Sequence, residues 1–360
     1  MPEPIETDLL LPHAGPAHGG NLRRASVEFG IDLDQWLDLS TGINPDGYPI
    51  PPIPEECFYR LPGQHEAQLL SFAREFYGAP NLLMGAGSQP FIERLPTLRE
   101  PCRVAIPDVG YQEHAWHWQR CGHEVVWYSG FSPAELDERI QAGDVECAVV
   151  INPNNPTASV VSLELLLEWR ERLAQRQGLL IVDEAFAEML PGSGEEGSSM
   201  APYSSLPGVC VLRSVGKFFG LAGIRVGFTL ASNELLMKLS SGSGLWSVSA
   251  VSQYLASQAL SDQAWQAQAR QRLLANSEWM DSTLRVRFRG QPIFTTPLFA
   301  SVLLNREEAR AVYYALASEG VLTRLWCLPG RGEALIRFGM ISAHNSSARA
   351  RLVEVLKGEC

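Results

Sequence analysis

Six short apolar runs recur between residues 102 and 231, each closed by turn residues: 102–108 (CRVAIPD), 123–130 (HEVVWYSG), 146–153 (ECAVVINP), 178–186 (GLLIVDEAF), 209–214 (VCVLRS) and 226–231 (VGFTLA). Runs this short with so little polar alternation describe strands buried on both faces. Amphipathic stretches separate them; in 162–178 (SLELLLEWRERLAQRQG) leucines return at helical spacing and a glycine stands at the end as a stop. Repetition of strand, helix, strand predicts an α/β fold, a mostly parallel sheet flanked by helices on both faces. After about residue 285 the pattern changes to amphipathic pieces of an α+β layer, among them PLFASVLLN, REEARAVYYALASEG, VLTRLW, ALIRFGM and SSARARLVEVLKG. The expected organisation is a large domain over 50–285 and a smaller α+β domain built from 1–49 and 286–360. The stretch 191–205 reads as a surface loop and the proline-rich 47–56 as an extended connector.

Composition narrows the function. A chain of 360 residues, 46% hydrophobic and 19% charged, can bury a sizeable interior. Its net charge of -11 repels nucleic acid and anionic membranes, which leaves small molecules as the expected partners. The seven cysteines are scattered, odd in number and without a C-x-x-C pair, so reduced thiols and a cytoplasmic setting are expected. No run of eighteen apolar residues occurs, and the first twenty residues lack a basic stretch followed by a long apolar one. Neither membrane spanning nor export is expected.

Lysine is scarce: Lys217, Lys238 and Lys357 stand against 26 arginines. Charge alone is met by arginine throughout this chain. A lysine amine differs in that burial or a nearby cation can deprotonate it, after which it can attack a carbonyl, which a guanidinium cannot do. Lys217 sits in SVGKFFGLAGIRVGF (214–228), ahead of a glycine-punctuated run.

In a parallel sheet, ligands sit beyond the carboxyl ends of the strands. In LLMGAGSQPF (82–91) the amides of Gly87 and Ser88 precede Pro90, a favoured opening residue of a helix, and could cradle a phosphate; an ordinary turn is the other reading. VVINPNNPT (149–157) fixes side-chain amides at the sheet edge, or is a turn. Asp183 follows a fully apolar strand, where a carboxylate is costly unless it meets a cation, and a structural ion pair with arginine is the plainer alternative. Together, a phosphate cradle, a sheet-edge amide, a buried acid and a rare lysine describe a pocket for pyridoxal 5'-phosphate. Lys217 would bond to the aldehyde, Asp183 would keep the ring nitrogen protonated, and Ser214 and Arg225 would hold the phosphate.

The motifs NPNNPT, VDEAF and SVGKFFGLAGIRVGF resemble the class I/II aminotransferase family of fold type I pyridoxal-phosphate enzymes, with the likeness running from HGGN at 18–21 to ALIRFGM at 334–340. The resemblance implies that Asn155 contacts the cofactor's ring oxygen, that Tyr111 stacks on the ring, that Arg337 binds the substrate carboxylate, and that two copies of the chain form a homodimer. It puts His18, Gly19, Asn44, Asn155 and Arg324 against substrate. Two positions depart from the family pattern. Phe186 stands where many members carry a tyrosine that donates to the ring hydroxyl, and Leu61 stands where a tyrosine reaches the neighbouring subunit's phosphate, with Tyr59 as the nearest substitute.

Within the family, AHGGNL, DLSTGINPDGYP and Phe186 resemble the branch that acts on a phosphorylated amino acid by decarboxylation. The implied reaction removes carbon dioxide from L-threonine O-3-phosphate; a histidinol-phosphate-type transamination is the second reading and a non-catalytic regulator of the same fold the third. His114, His117, Cys121 and His123 resemble metal ligands superficially, but the helical spacing reads as a packed helix ended by glycine, and no metal is expected.

Overall fold

The computed structural model describes residues 15–358 apart from 17, 191–198, 243 and 329. The amino-terminal fourteen residues, Cys360 and most of the expected loop at 191–205 therefore lie outside the described residues. In chain order the elements are α1 (Leu22–Phe29), β1 (Leu37–Asp38), α2 (Glu56–Tyr59), α3 (Glu66–Tyr77), β2 (Leu82–Gly85), α4 (Gln89–Arg94), β3 (Arg103–Pro107), α5 (Glu113–Arg120), β4 (Glu124–Tyr128), α6 (Ala134–Ala142), β5 (Cys147–Ile151), α7 (Leu163–Ala174), β6 (Leu179–Asp183), β7 (Val209–Ser214) and β8 (Gly227–Ala231). They continue with α8 (Asn233–Ser240), α9 (Ala250–Ser261), α10 (Gln263–Arg287), β9 (Ile293–Thr296), β10 (Phe299–Asn305), α11 (Arg306–Ser318), β11 (Val321–Leu322), β12 (Arg324–Cys327), β13 (Glu333–Gly339) and α12 (Ser346–Lys357).

The central sheet has seven strands in the order β2-β8-β7-β6-β5-β3-β4. Its inner strands β5, β6 and β8 are buried at every position, as their unbroken apolar runs require. The outermost strand β4 differs: Glu124 and Trp127 face solvent, because an edge strand has a neighbour on one side only. Only β8 runs against the rest, antiparallel to both β2 and β7. The carboxyl ends of β2, β3, β5, β6 and β7 consequently share one edge of the sheet.

The helix expected over 162–178 is shorter. Ser162 accepts from the Leu165 amide as its N-cap, and Leu166, Trp169 and Leu173 bury one face against the sheet. The helix ends at Ala174, and the left-handed turn is made by Gln177 (φ 56°) rather than by glycine. Gly178 is required for a different reason: a Cβ there would collide with the Glu146 carbonyl as the chain enters β6.

A four-stranded antiparallel sheet, β12-β13-β10-β9, lies beyond. With α11 and α12 it encloses a second core that includes Val302, Leu316, Ile336, Phe338 and Leu352. The N-terminal segment joins this part through the parallel β1-β11 pair and the bond from the Gly339 amide to Leu39. Helix α10 serves both cores: Leu273 belongs to the first and Met280 and Leu284 to the second.

Candidate active site

Each polar residue that follows a buried strand reaches the shared edge. Asp183, the last residue of β6, is 4% exposed; its Oδ1 accepts from the Ala185 amide at 3.1 Å and its Oδ2 lies 3.0 Å from His114 Nε2. The plainer alternative, a structural ion pair between Asp183 and an arginine, is absent among the described residues. His114 comes from α5, which packs the former metal candidates apart from one another: His117 Nε2 meets Glu113 at 3.2 Å, and His123 Nε2 donates to the Pro96 carbonyl at 2.9 Å.

Lys217 lies in a turn beyond β7 that is pinned from two directions. The adjacent Phe218 and Phe219 are fully buried, and the Asn44 amide N–H donates to the Lys217 carbonyl at 3.0 Å. Asn44 Nδ2 donates to the Phe218 carbonyl at 2.8 Å, and Asn44 Oδ1 accepts from the Asp46 amide. Asn44, read from sequence as a substrate contact, has its side chain engaged in clasping the 44–48 segment to the lysine turn. The Lys217 amine sits 5.3 Å over the Phe186 ring, and no hydrogen bond reaches it among the described residues. Burial, with Arg337 and Arg225 nearby and only Asp183 opposing, brings its pKa down to about 8.

A small-residue cradle forms where β2, β8 and β7 meet, since Gly227 is the register partner of both Gly85 and Ser214. A Cβ on Gly227 would lie 2.6 Å from the Ser88 nitrogen, so the backbone of Gly87 and Ser88 rests directly on this strand. Gly87 is left-handed (φ 81°), and a Cβ on it would stand 2.7 Å from Arg225 Nη2. Arg225 itself is held at φ 51°, a conformation costly for a residue with a side chain and one that clusters at ligand sites. Ser214 Oγ accepts from the Gly216 amide at 3.2 Å. Pro90 is the second residue of α4 rather than the first.

The second sheet supplies two guanidinium groups. Arg337 on β13 and Arg324 on β12 are register partners, and both lie over the Trp326 ring, at 5.0 and 4.8 Å from its centre. Arg337 Nη1 donates to Asn155 Oδ1 at 2.6 Å and Nη2 to the Ser40 carbonyl. Burial and the neighbouring Arg324 press the Arg337 pKa downward, with Asp38 opposing them. Asn155 thereby joins the two sheets, and its Nδ2 is left to donate elsewhere.

Tyr111 and His18 complete the rim, with ring centres 5.7 Å apart. Tyr111 donates to Gln89 Oε1 at 3.0 Å, Gln89 Nε2 donates to Glu113 Oε2 at 3.0 Å, and His18 Nε2 meets Glu113 Oε1 at 2.7 Å. Gly19 follows against Ser40, whose carbonyl a Cβ would strike. The buried Glu113 and His114 are not singled out as site residues by the sequence; their one signal is a helix starting immediately after Tyr111, and only the fold shows that it aims at Asp183. Tyr59 and Leu61 are at the surface, 82% and 68% exposed.

Residues 59–356 match the family model for aminotransferase class I and II. The chain is 40% identical over 341 residues to the threonine-phosphate decarboxylase of Pseudomonas aeruginosa, which covers 95% of this chain and 97% of that protein. Among solved structures, the histidinol-phosphate aminotransferase of Clostridium acetobutylicum superposes with a TM-score of 0.77 at 20% identity, covering 89% of this chain and 98% of the other. That of Sinorhizobium meliloti, in complex with pyridoxal-5'-phosphate, gives 0.76 at 18% identity over 96% and 99%. The seven-stranded sheet, the residues gathered at its edge and the extent of these matches lead to one conclusion: the chain belongs to the class I and II aminotransferase family.

Proposed function

We propose that this protein uses pyridoxal 5'-phosphate to decarboxylate L-threonine O-3-phosphate, giving (R)-1-amino-2-propanol O-2-phosphate for cobalamin biosynthesis. The observation that carries the reading is the half-buried Lys217 amine, its pKa near 8, set among Asp183, Arg225 and Arg337. Near-full-length likeness to the Pseudomonas aeruginosa protein supports the choice of reaction over transamination.

The residues present fit the cofactor. Bare backbone at Gly87 lies against the Arg225 guanidinium, which suits a phosphate held by Arg225, Ser214 and the Gly87 and Ser88 amides. The buried Asp183 carboxylate, steadied by the Ala185 amide and His114, suits a protonated ring nitrogen. Tyr111 would cover the ring, Asn155 Nδ2 would meet its oxygen, and Lys217 would carry the aldehyde. When bound, the cofactor supplies an electron sink for the bond that breaks at the substrate's α-carbon.

The chain's own side chains supply the rest. With a pKa of about 8, about a tenth of the Lys217 amine is unprotonated at neutral pH, enough to act as nucleophile. The same Nζ, once free and protonated, returns a proton to the carbon that has lost carbon dioxide. Arg337 binds the substrate carboxylate, and Arg324, His18 and the Gly19 backbone receive its phosphate. Two guanidiniums side by side repel each other, and an anion placed between them relieves that repulsion. Asn44 acts through the lysine turn that it clasps.

The exposed apolar side chains of Ile50, Phe58, Tyr59, Leu61, Leu245 and Trp246 support a homodimer in which a second copy would cover them, and the reduced thiols fit the cytoplasm. No helix among the described residues is long and apolar enough to cross a membrane. The test is to supply phosphothreonine alone and, separately, histidinol phosphate with a keto acid. Carbon dioxide from the first without keto-product from the second is the expected result, and the reverse pattern refutes the proposal.

A further inference from the structure

At the opposite edge of the central sheet from the site, two cysteines and a histidine converge. Cys102 immediately precedes β3, and Cys147 opens the neighbouring β5. Their sulfurs are 3.9 Å apart. His123, at the entrance to β4, places Nδ1 3.3 Å from Cys102 Sγ and 3.1 Å from the Cys102 amide nitrogen. Its other nitrogen, Nε2, is 2.9 Å from the Pro96 carbonyl, which can only accept, so Nε2 carries the hydrogen. Nδ1 therefore carries the lone pair, which accepts from the Cys102 backbone N–H at 3.1 Å and lies 3.3 Å from the Cys102 sulfur.

We infer that Cys102 and Cys147 form an oxidisable dithiol in which Cys102 is attacked first and Cys147 resolves it to a disulfide. The two sulfurs differ in the way such a division of labour requires. Cys102 is half-buried and open to a small oxidant, whereas Cys147 is sealed inside the sheet at 0% exposure. Contact with the Cys147 thiol, supported by His123 and Arg99, pulls the Cys102 pKa down to about 6 against the opposing effect of burial. Contact with Cys102 and burial push Cys147 upward. Cys210 and Cys57 lack this arrangement: Cys210 is buried against the Thr229 hydroxyl with its pKa pushed up to about 12, and Cys57 meets His65 with no second sulfur.

The oxidant is a hydroperoxide. Cys102 sulfur, as the thiolate, attacks one peroxide oxygen; the O–O bond breaks, a sulfenic acid forms, and the departing alkoxide or hydroxide takes a proton from solvent. Cys147 sulfur then attacks Cys102 sulfur, the S–O bond breaks, and the hydroxyl leaves with the Cys147 proton as water. Two electrons pass from the two sulfurs to the peroxide. Bond formation requires the sulfurs to close by about 2 Å to disulfide length. Cys102 lies just outside β3, where its carbonyl accepts from the Glu124 amide at 3.0 Å, so linkage shifts the start of the β3–β4 pairing as well as the two side chains.

The inference is independent of the reaction proposed above. The test treats the intact protein with hydrogen peroxide, blocks the remaining thiols and maps peptides without reduction. The expected result is a Cys102–Cys147 linked peptide, reversed by dithiothreitol, and a sulfenic acid on Cys102 trapped by dimedone in Cys147→Ser. Exposed Cys327 serves as the internal comparison. Recovery of Cys102 and Cys147 as free thiols while Cys327 is oxidised overturns the inference, as does oxidation of Cys102 in the wild type to sulfinic acid without linkage. Peptide mapping of the wild type alone decides the matter should Cys147→Ser fold poorly.

Discussion

At the scale of single residues, the proposed chemistry rests on Lys217, and its environment is unlike that of an ordinary surface lysine. Lys238, by contrast, is an exposed i,i+4 partner of Glu234 at 2.7 Å. Replacing Lys217 by alanine should leave the fold intact, because Phe218, Phe219 and Asn44 hold the turn without the amine. It should lower kcat by on the order of 10³, and borohydride should trap no cofactor adduct on the variant; retained turnover would sink the assignment. Rarity in an arginine-rich chain marks this lysine out by residue type alone. His114 and Glu113 carry no such mark, since their partners Asp183 and His18 are 69 and 95 positions away along the chain.

At the scale of elements, function depends on loops placed where strands end. Gly87→Ala puts a methyl 2.7 Å from Arg225 Nη2 and a side chain at φ 81°. Backbone strain of about 1–2 kcal/mol is expected, and equilibrium titration should show weaker pyridoxal 5'-phosphate binding than the drop in melting temperature alone explains. The link between β6 and β7 carries a second cost. Arg213, buried on β7, donates to Glu184 at 2.7 Å and approaches Glu188 at 3.6 Å, so two buried carboxylates share one guanidinium. Neither Glu188 oxygen finds a hydrogen-bond donor among the described residues, and burial raises its pKa from 4.5 to about 7. The folded protein therefore binds a proton at Glu188 that the unfolded chain releases between pH 4.5 and 7. Its contribution is fully present below pH 4.5 and is lost as pH rises through about 7. Chemical denaturation of Glu188→Gln should show that pH-dependent loss removed relative to the wild type; parallel pH profiles would refute the protonated state.

At the scale of the whole molecule, the two sheets are coupled by a few contacts across the site. Arg337 of one sheet grips Asn155 of the other, the Ser342 hydroxyl donates to Asp46 at 2.6 Å, and α10 runs through both cores. A cofactor domain over 50–285 with a smaller domain from both ends is our proposed division, and the separate cores support it. Tyr59 and Trp246 remain 82% and 56% exposed, on α2 and just before α9, which pack together. Sedimentation equilibrium should report a dimer for the wild type and a shift toward monomer for Tyr59→Asp combined with Trp246→Asp. A wild-type monomer would remove the subunit pairing from the proposal.

Strand positions, the α/β class and the candidates Lys217, Asp183 and Arg225 are legible in the chain because apolar periodicity and rare residue types are local properties. Helix α7 shows where local reading stops: Gly178 reads as a helix stop, yet it is a close-approach position set by Glu146, two strands of the sheet meeting there. The engagement of Asn44 with the lysine turn, the hold of His114 on Asp183, the facing guanidiniums of Arg324 and Arg337, and the Cys102–Cys147 contact depend on which strands become neighbours. Strand order is a property of long-range packing that no window of sequence contains, so those pairings were decided by the tertiary structure alone.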